Sequence, residues 1–445
     1  MSYIVFIATL LFLFLLCLRI FRNDFFSPPI IMLCIFILCS LVGLLRYNEW
    51  NIADYSLKSV ILLLVGISSF IFASTLALKY YKEKTNNIIP IRRNRINIPD
   101  YFVILSLLFG CVTLYIFIQN MKHVLEIAGS EDGNITHIIA AYHWYVTHEP
   151  EKFKVPARVL YCLYVLTVNS ILFLFVSIHN YVFRVFKNKD YIYVVCVLFW
   201  PVVSILNSSR YELLCMMSII IYLLYFFENM YYGNSQLVRK KIIKFGCKLL
   251  LAFLVFFIFL TIYMGRRQSF SDLEIKNYLT IYISAGIRNF DLFVNSPPDI
   301  QGWGKETFPS IYRFLYNHFG IGGYYKIPLE YRSINGQNMG NIFTCFRRYY
   351  SDFGLGGLIL VPFMFGFFIT CLYYKTKTRC KRNVIGFELL VFAYLSRCVF
   401  FMPIEDYFFI FDVSARGIFK IMVLYVLYRL FIKKKTVNKT MIRNA

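Results

Sequence analysis

The sequence predicts an all-α polytopic integral membrane protein, and three observations predict it. The 445 residues are 59% hydrophobic and 19% aromatic, with a mean hydropathy of +0.60, outside the range of soluble globular chains. Apolar runs of about the 20 residues that a helix needs to cross a bilayer recur along the whole chain. Basic residues gather in short polar intervals between those runs, as they do in cytoplasmic loops. The net charge of +23 therefore reads as loop anchoring against anionic headgroups, not as a nucleic-acid footprint.

Taken in order, the apolar runs place about 11 transmembrane helices at 3–18, 28–45, 58–78, 101–120, 158–180, 191–207, 213–229, 248–264, 354–374, 384–402 and 413–432. The first run has no basic residue before it, and Arg19 and Arg22 follow it, which is the reverse of a signal peptide. Counting off the spans puts Arg19/Arg22, Lys79–Arg95 (with Arg92 and Arg93), Arg184–Lys189, Arg239–Lys248, Lys375–Arg382 and the tail Lys433–Lys435 on one side. By the positive-inside rule that side is the cytoplasm, so the N-terminus is expected outside and the C-terminus inside.

This count divides the chain into residues 1–264, which hold eight spans and a smaller outer loop at 121–157, a large outer loop at 265–353, and residues 354–445 with three spans and a basic tail. The large loop alternates aromatic and polar residues, so short amphipathic helices on the outer leaflet are expected there. Most of the 12 cysteines, Cys17, Cys34, Cys39, Cys111, Cys162 and Cys398 among them, lie in apolar runs, without C-x-x-C or metal-ligand spacing. Four of the six histidines, His123, His137, His143 and His148, fall in 121–157, again without a metal spacing, so no metal is expected.

The charged residues of the large loop are the candidates for chemistry. Arg266, Arg267, Arg288, Arg313, Arg332, Arg347 and Arg348 outnumber Lys276, Lys305 and Lys326, and a guanidinium fork grips phosphate in a way that an ammonium cannot. Arg210 stands in the short outer turn N-S-S-R-Y-E, where it needs a carboxylate such as Glu212 or an anionic ligand. Arg397 and Arg416 could pair with Glu405 and Asp406 in the last outer turn. Asp291, Asp299, Glu306, Glu330 and Asp352 are possible general bases, and His318 a base or polar support. Asp352-Phe353-Gly354 spells a kinase triplet, but the other kinase motifs are missing and spans surround it.

The stretch N-I-F-T-C-F-R-R-Y-Y-S-D-F-G-L-G-G at 341–357 leads directly into a span. Its Asn341, Thr344, Tyr349, Tyr350, Asp352, Phe353, Gly354 and Gly357 resemble the N-x-x-T … Y-Y-x-D-F-G-x-x-G run of Wzy-type O-antigen polymerases. Ser208-Ser209-Arg210 is similar to the small-residue-plus-arginine turn of the same family. The span layout resembles that family over nearly the whole chain, the motifs over about twenty residues. Some members carry R-x(10)-G in outer loops, and here Arg313 to Gly323 falls one residue short, so only Arg210 and the 341–357 positions are carried over.

The resemblance implies a GT-C-like architecture in the bacterial inner membrane. It also implies polymerisation of undecaprenyl-diphosphate-linked oligosaccharide repeats at the periplasmic face, without cofactor, nucleotide sugar or metal. Asp352, Arg210 and Arg348 are then the expected catalytic residues. Arg288, Arg347, Tyr349, Tyr350, Asn341 and His318 are expected to bind substrate. Expected partners are the lipid-linked oligosaccharides, membrane lipids and a chain-length regulator, and no nucleic acid. An O-antigen ligase acting on lipid A-core shares this layout. A flippase or other transporter would show paired inverted halves, which the sequence lacks.

Overall fold

The computed structural model describes residues 1–81, 94–130, 135–149, 152–233, 236–263, 272–298, 303–321 and 330–433. Arg92, Arg93, Arg266, Arg267, Asp299, Gly323, Lys326, Lys434 and Lys435 lie outside the described residues, as do the side chains of Arg210 and Lys276. The described chain is all-α apart from one antiparallel pair of two-residue strands. Its helices are α1 Ser2–Ile20, α2 Pro28–Leu44, α3 Leu57–Tyr80, α4 Asp100–Ala128, α5 Ile135–His148, α6 Ala157–Val182, α7 Asp190–Leu206 and α8 Arg210–Tyr232. They continue with α9 Gln236–Tyr263, α10 Asp272–Asn295, α11 Pro309–Phe319, α12 Phe346–Lys381, α13 Phe387–Leu395, α14 Arg397–Phe400 and α15 Ala415–Tyr428.

Among the described residues the apolar runs fall largely on helix, and six helices, α1, α3, α4, α6, α8 and α12, are long and apolar enough to cross a membrane, with α2 and α7 apolar but shorter. The run at 384–402 is not continuous, since it breaks at Ser396 into α13 and the four-residue α14. Within the segment 265–353, α11 is a short helix of 11 residues as expected, but α10 differs from the expectation. It has 24 residues, and residues 284–291 are buried without interruption. Burial is possible because Arg288 and Asp291 neutralise each other one turn apart.

The helices assemble into two compact units. The first comprises residues 1–86, 271–378 and 395–418. There α2 packs between α1 and α10, tied by Tyr3 Oη donating to Ser40 O at 3.0 Å and Ser284 Oγ to Cys39 O at 2.6 Å. Phe36 stacks on Phe346, and Phe70 meets Phe365 edge-on, which seats α12 against α2 and α3. Between helices that cross a bilayer such ring pairs contribute through close packing, since lipid is as apolar as the protein interior.

The second unit comprises residues 87–270, 379–394 and 419–445. In it α6 packs on α4, α7 and α8. A small core of Phe117, Tyr142, Phe153 and Leu166 closes the 121–157 interval, with Asn120 Nδ2 donating to Tyr142 Oη at 3.1 Å. His123 and His148 stand at its exposed surface.

Candidate functional site: the charged head of α12

The chain breaks its own helix at the stretch that the sequence singles out. Gly354 has φ +58° and ψ −141°, so α12 is an eight-residue head, 346–353, joined through this residue to the membrane-crossing part. A side chain is strained at such a φ, and glycine is not. Gly357 allows the head to fold back, because a Cβ there would lie 2.1 Å from the Tyr349 carbonyl oxygen. The two glycines therefore set the angle of the head. Phe36 and Phe346 anchor its start, and Cys345 N donates to Met402 O at 2.8 Å.

Five residues of the predicted set are brought together on that head. Arg348 forms a two-pronged pair with Glu405, Nε to Oε1 at 2.9 Å and Nη2 to Oε2 at 3.0 Å. Arg347 donates Nη1 to Glu306 and Nη2 to Glu330, the latter at 2.6 Å, and its guanidinium lies over the rings of Phe293 and Phe343 at 4.9 and 5.2 Å. Glu330 also accepts from Arg332. Asp352 receives two backbone donors, Glu306 N at 3.2 Å and Thr307 N at 2.6 Å, and so clasps the 303–308 turn that carries Glu306. Tyr349 is buried beneath, edge-on to Phe409, with its hydroxyl facing Asp406. Tyr350 sits half-buried at the rim, edge-on to Phe293.

The other predicted residues stand elsewhere. Arg288 is buried in a separate clasp, donating Nε to Trp50 O at 2.9 Å and Nη2 to Asn51 O at 3.1 Å, with Nη1 on Asp291. Asp291 in turn accepts from Ser56 N and Oγ at 3.0 and 2.6 Å. Arg288 thus fastens the 50–56 loop to α10. His318 is exposed on α11, where Nδ1 meets Phe314 O at 3.1 Å and the ring stacks on Phe314. Asn341 is half-buried in a loop that Asn289 holds by donating to Met339 O and Ile342 O. Arg210 opens α8 in the second unit.

The carboxylates are what sequence reasoning placed least well. Arg397 pairs with Asp412 at 2.5 Å, with Cys398 Sγ 3.1 Å from the same carboxylate, and Glu405 and Asp406 face other residues than the sequence suggested. They serve the α12 head, 57 positions away for the Arg348–Glu405 pair. The one signal available was that two adjacent acids occupied a turn between apolar runs.

The cluster is electrostatically unbalanced. Three arginines (332, 347 and 348) face five carboxyls (306, 330, 352, 405 and 406). Burial raises the Glu306 carboxyl above its ordinary range, and Arg347 and Arg348 only partly offset it. Burial also lifts Asp406, to about 7, and the adjacent Glu405 charge adds to this, although Phe409 N donates to Asp406 at 3.1 Å. Burial presses on Glu405 in the same direction, yet the Arg348 fork holds it below the usual range. The cluster therefore contains one firmly ionised carboxylate beside one that keeps a proton to near neutrality. It is reached from outside at Glu405 and Glu330, whose side chains are 24% and 15% exposed. Two buried donors, Arg347 Nε and Arg348 Nη1, have no partner among the described residues.

No family model, no curated protein and no solved structure matches this chain.

Proposed function

We propose that this chain is a membrane glycosyltransferase that polymerises lipid-diphosphate-linked oligosaccharide repeats, in the manner of the O-antigen polymerases its 341–357 stretch resembles. In this reading 11 helices cross the bacterial inner membrane, the N-terminus and the α12 head face the periplasm, and the C-terminus is cytoplasmic. The observation that carries it is the pair of arginine donors, Arg347 Nε and Arg348 Nη1, that have no partner among the described residues and stand beside carboxyls at the head of a helix long and apolar enough to cross a membrane.

Glycosyl transfer needs two things of such a site. The attacking sugar hydroxyl must lose its proton as its oxygen bonds to the donor's anomeric carbon. The bond from that carbon to the diphosphate breaks, and the departing lipid diphosphate takes the electron pair and needs positive charge. Glu405 and Asp406 supply the first requirement, Glu405 as the accessible carboxylate and Asp406 as a group that exchanges protons near neutral pH. The donors of Arg347 and Arg348 that lack partners among the described residues supply the second, and Arg210 is a separate candidate that rests on the resemblance of its turn alone. Asp352 orders the site by fixing the 306–307 backbone, and Tyr349 and Tyr350 line it. Arg288 supports α10 from a distance.

The test is a deletion strain complemented with Arg348→Lys, Asp406→Asn or Arg210→Ala, with the protein's presence in the membrane verified. Lipopolysaccharide carrying core plus a single repeat is expected in the deletion strain and at least a tenfold loss of long chains in the variants. Bare core in the deletion strain would identify a ligase. An unchanged ladder in the deletion strain would exclude both.

A further inference from the structure

The polar face of the site has a greasy counterpart on α11. Ile311, Phe314, Leu315, His318 and Phe319 fall at helical spacings that share one face, and Ile311, Phe314 and Phe319 are 42%, 46% and 64% exposed. The opposite side attaches the helix to its unit. There Pro309 is buried and Ser310 Oγ donates to Ile410 O at 3.0 Å. An apolar stripe pointing away from the protein needs something to cover it.

The surroundings specify the cover. The five-residue π-turn Phe408–Asp412, to which Ser310 is bonded, itself presents Phe411, 51% exposed. Beyond Gly354, α12 alternates buried and exposed pairs in helical register, with Leu355, Ile359, Leu360 and Met364 exposed on one side. On a helix that crosses a membrane, that row faces acyl chains. Phe353, directly before the row, is edge-on to Trp303 at 5.2 Å and lies near Phe308, so the root of α11 rests on the start of the lipid-facing row. Trp303 is 77% exposed, as an interfacial indole is.

We infer that α11 lies in the bilayer interface, its Ile311–Phe314–Phe319 stripe sunk among the acyl chains of the leaflet nearest the α12 head. The occupant of this surface is membrane lipid, not a second protein. The placement has a consequence for the site, since the root of α11 carries Glu306, which holds Arg347, and Asp352 clasps that same root. Lipid seated under α11 fixes the carboxylate on the arginine. The inference rests on the membrane-crossing character of α12 and not on the polymerase reading.

Spin labels on Ile311→Cys, Phe314→Cys and Asn317→Cys test it, in full-length protein reconstituted in phosphatidylethanolamine–phosphatidylglycerol vesicles, with the exposed Cys111 and Cys247 replaced by serine. Asn317 is exposed but lies off the stripe. Labels at 311 and 314 should collide with oxygen at least fivefold more than with a water-soluble nickel chelate, and the label at 317 should show the reverse. Nickel preference at all three sites would place α11 in water and overturn the inference. Immobile labels at 311 and 314, shielded from both reagents, would mean that protein covers the stripe, and would overturn it equally. Polymer length plays no part in this readout, so a failure here leaves the glycosyltransferase reading standing.

Discussion

Two buried charge clusters, one in each unit, show how the same side chains can serve different ends. In the second unit Asp190, fully buried, receives Arg95 Nη2 at 2.5 Å, Lys187 N at 2.9 Å and Asn180 Nδ2 at 3.4 Å. Asn180 also bonds both Ile96 N and Ile96 O. One arginine meets one carboxylate, and the cluster pins residues 95–98 in place. At the α12 head, three arginines meet five carboxyls, two guanidinium donors have no partner among the described residues, and one carboxyl keeps its proton to near neutrality. A balanced cluster contributes order, and one with surplus carboxyls retains capacity for protons.

The largest effects come from removing the cation of either cluster. Arg95→Ala leaves Asp190 buried and unpaired, and Arg347→Ala leaves Glu306 and Glu330 facing each other. Each should cost about 3–5 kcal/mol in denaturant unfolding of the detergent-solubilised protein. Removing a single negative charge should then separate the clusters. Asp190→Asn should cost about 1.5–3 kcal/mol, the value of charge-assisted hydrogen bonds, whereas Glu306→Gln, which relieves a surplus, should cost less than about 1 kcal/mol. Equal losses for the two variants would refute the contrast.

A pH series sharpens it further. Asp406 has its folded pKa raised from 3.8 to about 7. Its stabilising contribution is therefore complete below the ordinary aspartate range and is lost as pH rises through about 7. Glu306 acts in the same direction, and Glu405, held low by Arg348, acts in the opposite one. Asp406→Asn removes the Asp406 part alone. The variant should gain on the wild type between pH 4 and pH 7 by at most about 1.4 kcal/mol per pH unit. A stability difference that stays constant across that window would show that Asp406 titrates normally. The smallest effect is expected at Thr344, fully buried with a hydroxyl that has no partner among the described residues. Thr344→Val should be neutral or stabilising by up to about 1 kcal/mol in the same unfolding assay.

The helical, membrane-crossing character was legible because apolar period and length are local properties of a chain. Arg347, Arg348, Tyr349 and Asp352 were legible as a group because they lie within six consecutive residues on one short helix. Their partners were not. Glu306 and Glu405 come from positions 41 and 57 residues away, and no local pattern encodes which acid meets which arginine. The same limit explains Arg288 and His318, which composition placed beside the cluster and folding did not. The burial of α10 was hidden because Arg288 and Asp291 made a neutralised helix look amphipathic. The glycines of the 341–357 stretch were visible as a motif, but their reason is conformational, one a left-handed break and the other a backbone contact.

The break at Gly354 also works as a ruler. From Leu355 to Tyr374 the helix is apolar, and those residues rise about 30 Å at 1.5 Å each, which is the thickness of the hydrocarbon layer. A crossing along the bilayer normal would put Gly354 at one boundary of that layer and Lys375 at the other. The remaining turns to Lys381, with Lys377, Arg379 and Lys381 among them, would then extend beyond it toward the headgroups. Adding or removing a turn between Leu355 and Tyr374 would shift the height of the charged head by about 5 Å relative to the lipid surface without altering any of its own residues.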